Sequence, residues 1–195
     1  MGSKKLKGVL FDMDGTVVDA PYDWPRIKAE LGTQGVPILT YLSSLEEPER
    51  SRKWGRLQKY EDEATRAAVL KKGMRGFLDF LTATGVKKAL ITNNSRANVD
   101  ILLKKFGLAF DCLISRESGL WKPSGAPLIC AMRQLKLRKE ECCAVGDSHF
   151  DIKAAEDAGI SRIFILNKDS HGFPAGSAEI VPDVGSLHKK ILSLI

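Results

Sequence analysis

The stretch Val9–Ala20, VLFDMDGTVVDA, decides how the rest of the chain is read. A run of apolar strand-formers ends in a carboxylate, a spacer, a second carboxylate, a glycine and a threonine. Acids are costly to bury unless they are paired. The strand that leads into Asp12 and Asp14 is therefore either an ordinary exit to a loop, or it aims two carboxylates at one point.

Beyond residue 72 the sequence alternates regularly between strand and helix patterns. Strand candidates are Gly8–Phe11, Val86–Thr92, Cys112–Ser115, Cys142–Gly146 and Ile163–Leu166. Amphipathic helix candidates are Met74–Thr84, Ser95–Phe106, Ala126–Leu135, Phe150–Ala158 and Ser186–Leu194, with Gly85, Gly107 and Gly159 as stop signals. Such alternation with short links predicts an α/β fold, a doubly wound and mainly parallel sheet covered on both faces. Residues 20–72 interrupt it with helical periodicity only. Trp24, Ile27 and Leu31 share one face; Ile38, Leu39, Leu42 and Leu45 share another; Trp54, Leu57, Tyr60 and Ala64 follow. The break GTQGVP separates the first two of these helices. The expected organisation is an α/β core of residues 1–19 and 73–195, with a small helical module, 20–72, inserted after the first strand. Trp24 and Trp54 are expected in the apolar interior of that module.

Composition narrows the function classes. With 195 residues, 44% hydrophobic and 28% charged, the chain suits a soluble globular core with one small insertion. No apolar run is long enough to span a bilayer, and the run before Asp12 is too short for a signal-peptide core. Cys112, Cys130, Cys142 and Cys143 lie in apolar runs without a CxxC pair, and read as buried free thiols of a reducing cytoplasm. A net charge of +6 attracts anions. The lysines and arginines are scattered, however, and lack the aromatic-rich signature of RNA-binding domains. The anions so attracted are phosphorylated metabolites or nucleic acid, the second without its signature here, and no membrane partner is expected.

Ligands of open α/β sheets bind beyond the carboxyl ends of the strands. There the sequence puts Asp12 and Asp14; Thr92, Asn93 and Asn94; Lys122 in the link LWKPSG; and Asp147 and Asp151. Four converging carboxylates repel one another unless cations neutralise them. A hard divalent ion with oxygen ligands does so, and magnesium keeps room for a substrate phosphate. Lys122 adds a further positive charge. The set describes a phosphate site built around a metal.

In this order, DMDGT, ITNNS, WKP and GDSHFD resemble the four motifs of the haloacid dehalogenase superfamily, and most of all its phosphoglycolate-phosphatase-like members with a small helical cap. The resemblance implies a Mg2+-dependent phosphomonoester hydrolase working through an aspartyl-phosphate. It makes Asp12 the nucleophile and Asp14 the general acid and then base, with Gly15 permitting the turn between strand and cap. Thr92 and the amide of Asn93 become phosphate-oxygen donors, and Lys122 holds nucleophile and phosphate together. Asp12, the backbone carbonyl of Asp14, and Asp147 become metal ligands. Asp151 supports them, either binding the metal through water or orienting Lys122. Asn94 reads as a polar turn residue, Ser95 as a helix cap, His149 as exposed, and Arg50, Arg52, Lys53 and Arg56 as a solvated face. A sugar phosphomutase keeps the same acids and is the alternative. A dehalogenase lacks the second acid, and a basic binding module has no need of either.

Overall fold

The computed structural model describes residues 5–33, 35–167 and 178–195. Lys4, one of the scattered basic residues, and Gln34, inside the expected break, lie outside them. The chain runs from β1 (Gly8–Phe11) to β2 (Val18–Asp19), then through three helices, α1 (Trp24–Leu31), α2 (Ile38–Ser43) and α3 (Glu49–Ala67), and back through β3 (Val69–Leu70). It continues with α4 (Met74–Ala83), β4 (Lys87–Ile91), α5 (Arg96–Phe106), β5 (Cys112–Ile114) and α6 (Ala126–Leu135). The last elements are β6 (Cys142–Gly146), α7 (His149–Asp157), β7 (Ile163–Leu166), β8 (Glu179–Val181) and α8 (Val184–Leu192).

Six strands form one sheet in the order β5-β4-β1-β6-β7-β8, and every adjacent pair is parallel. This is the expected doubly wound α/β sheet. The period of two along each strand divides its side chains between two cores. Val9, Phe11, Leu90, Cys143 and Val145 face α4, α5 and α8, while Leu10, Ala89, Ile91 and Ala144 face α6 and α7. The chain leaves β1 for β4 and β5 on one side, then returns to β6 on the other. A crevice therefore opens at the carboxyl ends of the central strands. Register makes those ends level. Phe11 sits opposite both Leu90 and Val145, so Asp12, Thr92 and Asp147 all emerge one or two residues past that line.

Helices α1 to α3 bury Ile27, Leu31, Leu39, Leu42 and Leu57 in a cluster of their own, apart from the two sheet cores. Two expectations for this segment are corrected. Its periodicity is not purely helical, because β3 pairs antiparallel with β2, Val18 opposite Leu70 and Asp19 opposite Val69. Two residues per strand are too few to leave a period of two in the sequence. Trp24 is not in the interior: it is 40% exposed and stacks on Tyr22, with ring centroids 4.4 Å apart. It begins α1, and a helical stripe gives a residue's face without telling whether a neighbour reaches that end. Cys130, expected to be buried, is only half-buried, while Cys112, Cys142 and Cys143 are buried; all four are free thiols. The terminal helix begins at Val184 rather than Ser186, because Asp183 accepts from the Ser186 amide at 2.7 Å and caps it there.

Candidate active site

Asp12 follows directly on β1, with its amide donating to the carbonyl of Val145 at 2.8 Å. Its carboxylate pairs with the Lys122 ammonium, which also donates to Asp151 Oδ1 at 2.6 Å. Lys122 is buried, and its backbone is clamped from the end of β4: Asn93 Oδ1 accepts from the Lys122 amide at 2.9 Å, and Asn93 Nδ2 donates to the Lys122 carbonyl at 2.9 Å. Asp151 is held in turn. Its Oδ2 accepts from the Ser148 hydroxyl at 2.6 Å and from the Ser148 amide at 3.1 Å, closing a capping box at the start of α7. Of the two roles considered for Asp151, the structure shows the contact that the second would use, its hydrogen bond with Lys122.

Asp14 lies on the turn beyond, where Gly15 adopts a φ of +86°. A Cβ on Gly15 would stand 2.0 Å from Asp147 Oδ2, so glycine serves both the turn and the approach of Asp147. Asn94 Nδ2 donates to Asp14 Oδ2 at 3.2 Å and to the Tyr22 hydroxyl at 2.9 Å. Asn94 Oδ1 accepts from the Ser95 amide at 2.7 Å and from Asn98, which fixes the orientation of the side-chain amide. Asn94, read from sequence as a turn residue, is therefore a buried contact of Asp14. Thr92 is buried beside it, with Oγ1 accepting from the Asn94 amide at 3.0 Å and its own proton left to donate. Ser95 caps α5 as expected, and His149 is exposed as expected.

The site is over-supplied with negative charge. Burial raises Asp12 well above the ordinary carboxylate value; Lys122 opposes this, while Asp151, Asp147 and Asp14 add to it. Burial pushes Asp14 up to about 6, against the pull of Asn94 and Lys122. Asp147 is raised to about 7 by burial and by Asp151. Asp151 goes the other way: burial is outweighed by Lys122 and the Ser148 donors, which hold it low. Burial also disfavours the Lys122 ammonium, but Asp12 and Asp151 keep it charged. One lysine among four acids leaves a deficit of positive charge.

The donors fit a hard divalent cation. Among the described residues, Asp12, Asp147 and Asp151 each offer a carboxylate oxygen within 4.8 Å of the others. Asp14 Oδ1 is buried without a hydrogen-bond partner, an acceptor left over for a ligand or a proton. The triangle contains the expected Asp12 and Asp147 and adds the Asp151 carboxylate; the ligand expected of Asp14 is its backbone carbonyl, not its carboxylate. Both Asp151 oxygens already accept from Lys122 or Ser148, which leaves Asp12 and Asp147 the freer donors.

Sequence reasoning passed over Tyr22 and Glu61 and assigned Trp24 to the interior of the helical module. All three line the cavity above the acids. Glu61, on α3, is buried and accepts from Arg116 Nη1 through both oxygens, at 2.8 and 2.9 Å. The aromatics of PYDW, shortly after DMDGT, and the second asparagine of ITNNS were the available signals. Glu61 had none, since it lies on a helix of otherwise ordinary charge pattern.

The comparisons with known proteins agree with this architecture. Residues 21–165 match the profile of the haloacid dehalogenase-like hydrolase family. The match begins past Asp12 and Asp14, so it is independent of the acids that open the site. An uncharacterized hydrolase of Saccharomyces cerevisiae is 30% identical over 174 residues, which cover 85% of this chain and 80% of that protein. The phosphoglycolate phosphatase of Chromobacterium violaceum is 28% identical over 194 residues, covering 85% and 87%. The crystal structure of CbbY from Rhodobacter sphaeroides, in complex with phosphate, superposes with a TM-score of 0.68 at 21% identity, covering 93% of this chain and 96% of that one, a likeness of fold. Agreement over that much of the sequence, on the sheet order built here, makes the chain a member of the haloacid dehalogenase-like hydrolase family.

Proposed function

We propose that the chain is a Mg2+-dependent phosphomonoesterase that transfers the phosphoryl group of a small phosphorylated metabolite to Asp12 and then to water. The observation that carries the reading is the pairing at the end of β1: Asp12, bound to Lys122, and Asp14, buried with one unpartnered oxygen, two residues apart at one mouth. Asp12 attacks phosphorus and the alcohol leaves, which divides a very slow hydrolysis into two easier steps. Asp14, raised to about 6, gives its proton to the departing alkoxide and then takes one from the attacking water. Asn94 holds the Asp14 carboxyl in place for both transfers. Lys122, oriented by Asp151 and clamped by Asn93, stabilises the charge that develops on the phosphoryl oxygens. The Thr92 hydroxyl and the Asn93 amide bind those oxygens. Asp12, Asp147 and the carbonyl of Asp14 would hold Mg2+, which when bound would supply positive charge to phosphate and acids alike.

In this reading residues 20–72 form a cap over the core of 1–19 and 73–195, excluding water and reading the alcohol. No described helix is long and apolar enough to cross a membrane, and the free thiols support a cytoplasmic location. The test is release of inorganic phosphate from phosphorylated metabolites. Phosphate should appear with Mg2+, stop on chelation, and fall by at least about 10³-fold in Asp12→Asn, the scale of losing a nucleophile. Isomerised sugar phosphate instead of free phosphate identifies a mutase, and undiminished turnover by Asp12→Asn removes the assigned nucleophile.

A further inference from the structure

The acids stand at the floor of a cavity of about 350 Å³ whose walls include residues of α1 to α3 and the loops beside them, together with the start of α7. That volume falls in the range of pockets that take drug-sized ligands, roughly 300–1,000 Å³. A two-carbon alcohol leaves most of it unfilled. The walls away from the acids are largely apolar, with Val36, Ile38, Leu39 and Leu57 among them. On one side stand Tyr22 and Trp24, stacked with an interplanar angle of 14°. Tyr22 covers one face of the indole, and Trp24 nevertheless remains 40% exposed while lining the cavity. Aromatic surface of Trp24 is thus within reach of whatever occupies the space.

The buried cations around the walls are already engaged. Glu61 lines the cavity, whereas its partner Arg116 does not. The Arg116 guanidinium is engaged by Glu61 and Gln58 and lies 4.9 Å from the Trp54 ring. The buried cation among the described lining residues, Lys122, is already shared between Asp12 and Asp151. Lys28 and His149 also line the space but are solvent-exposed, where an ion pair contributes little. A carboxylate on the leaving alcohol would find no buried cation free to meet it. A neutral planar group meets apolar walls and an indole face.

We propose that this cavity selects phosphomonoesters whose alcohol is uncharged and carries an aromatic ring, with Trp24 as the stacking platform. The inference rests on the phosphatase reading and specifies its substrate class. A simple aryl-alkyl alcohol and a nucleoside both have this chemistry, and the test separates them.

The experiment compares kcat/KM of the Mg2+-loaded full chain for 2-phenylethyl phosphate, ethyl phosphate, 2-phosphoglycolate and uridine 5′-monophosphate, all esters of primary alcohols. The phenylethyl ester should exceed both ethyl phosphate and phosphoglycolate by about tenfold or more, the scale of one aromatic contact with its buried area. Uridine monophosphate above the phenylethyl ester assigns the ring to a nucleoside, and below it to a simple aryl group. In Trp24→Ala the phenylethyl-to-ethyl ratio should collapse towards one through KM, and Trp24→Phe should restore most of it. Calorimetric binding of 2-phenylethylphosphonate against ethylphosphonate reads the same preference without turnover. Equal rates, or a preference for phosphoglycolate, overturn the inference and leave the phosphatase reading standing. If no ester is hydrolysed the phosphatase reading falls, and phosphonates bound with equal affinity then dispose of the aromatic platform as well.

Discussion

Gly15 answers to two constraints at once. Its φ of +86° is a conformation that side chains resist, and the space where a Cβ would project is filled by the Asp147 carboxylate. Gly15→Ala should therefore act on the metal site more than on the fold. Calorimetric Mg2+ titration should give at least about tenfold weaker binding, as expected when a carboxylate ligand is pushed from its place. Unchanged affinity would mean that Asp147 is not a ligand. Asn93 and Asn94 show how differently adjacent identical residues can serve. The first clamps the backbone of Lys122 and the second holds Asp14, partners that lie 29 and 80 positions away along the chain and that only the fold brings near. Which asparagine does which is not written in the local sequence, because a side-chain amide pairs with whatever the fold brings within hydrogen-bonding distance.

The helices that leave the site begin with side chains that serve both helix and chemistry. Ser95 accepts from the Asn98 amide at 3.3 Å and starts α5 one residue after Asn94. Ser95→Ala should lower stability by about 1 kcal/mol, the usual cost of an N-cap, read as a lower midpoint in urea with unchanged m-value. A cost near zero would show that the Asn94 and Asn98 side chains alone hold that helix end. Elements of this kind were legible in the sequence, since caps, stop glycines and alternating apolar runs are local signals. The β2–β3 ribbon was not legible. Its strands contribute two residues each and lie about fifty residues apart, so their pairing depends on where α1 to α3 return the chain.

At the scale of the molecule, α3 is tied to the turn after β5 by Glu61 and Arg116, both largely buried. Burial pushes the Glu61 carboxyl up to about 7, with Arg116 opposing. A folded-state pKa above the unfolded value near 4.5 gives stability that is present at low pH and lost as pH rises through about 7. Removing Arg116 raises that carboxyl further and leaves its charge uncompensated. Arg116→Ala should therefore cost about 3–5 kcal/mol at pH 8 and markedly less at pH 5, where Glu61 takes up a proton. Urea unfolding at the two pH values measures both, and a loss independent of pH would show that Glu61 does not carry the effect. The same tie holds Glu61 beside the cavity, so the pair that fastens the helices to the sheet also sets the charge offered to a ligand.

The sequence by itself determined the parallel sheet, the helical insertion and the strand ends at which the acids appear. Each of these follows from periodicity and from turn residues within one short window. The tertiary structure alone decided that Asp151 holds Lys122, that Asn94 faces Asp14, and that Trp24 and Glu61 meet over the same cavity. Those contacts join segments tens of residues apart, and their energies arise from burial and charge compensation that no single segment possesses until the sheet and the helices close around it.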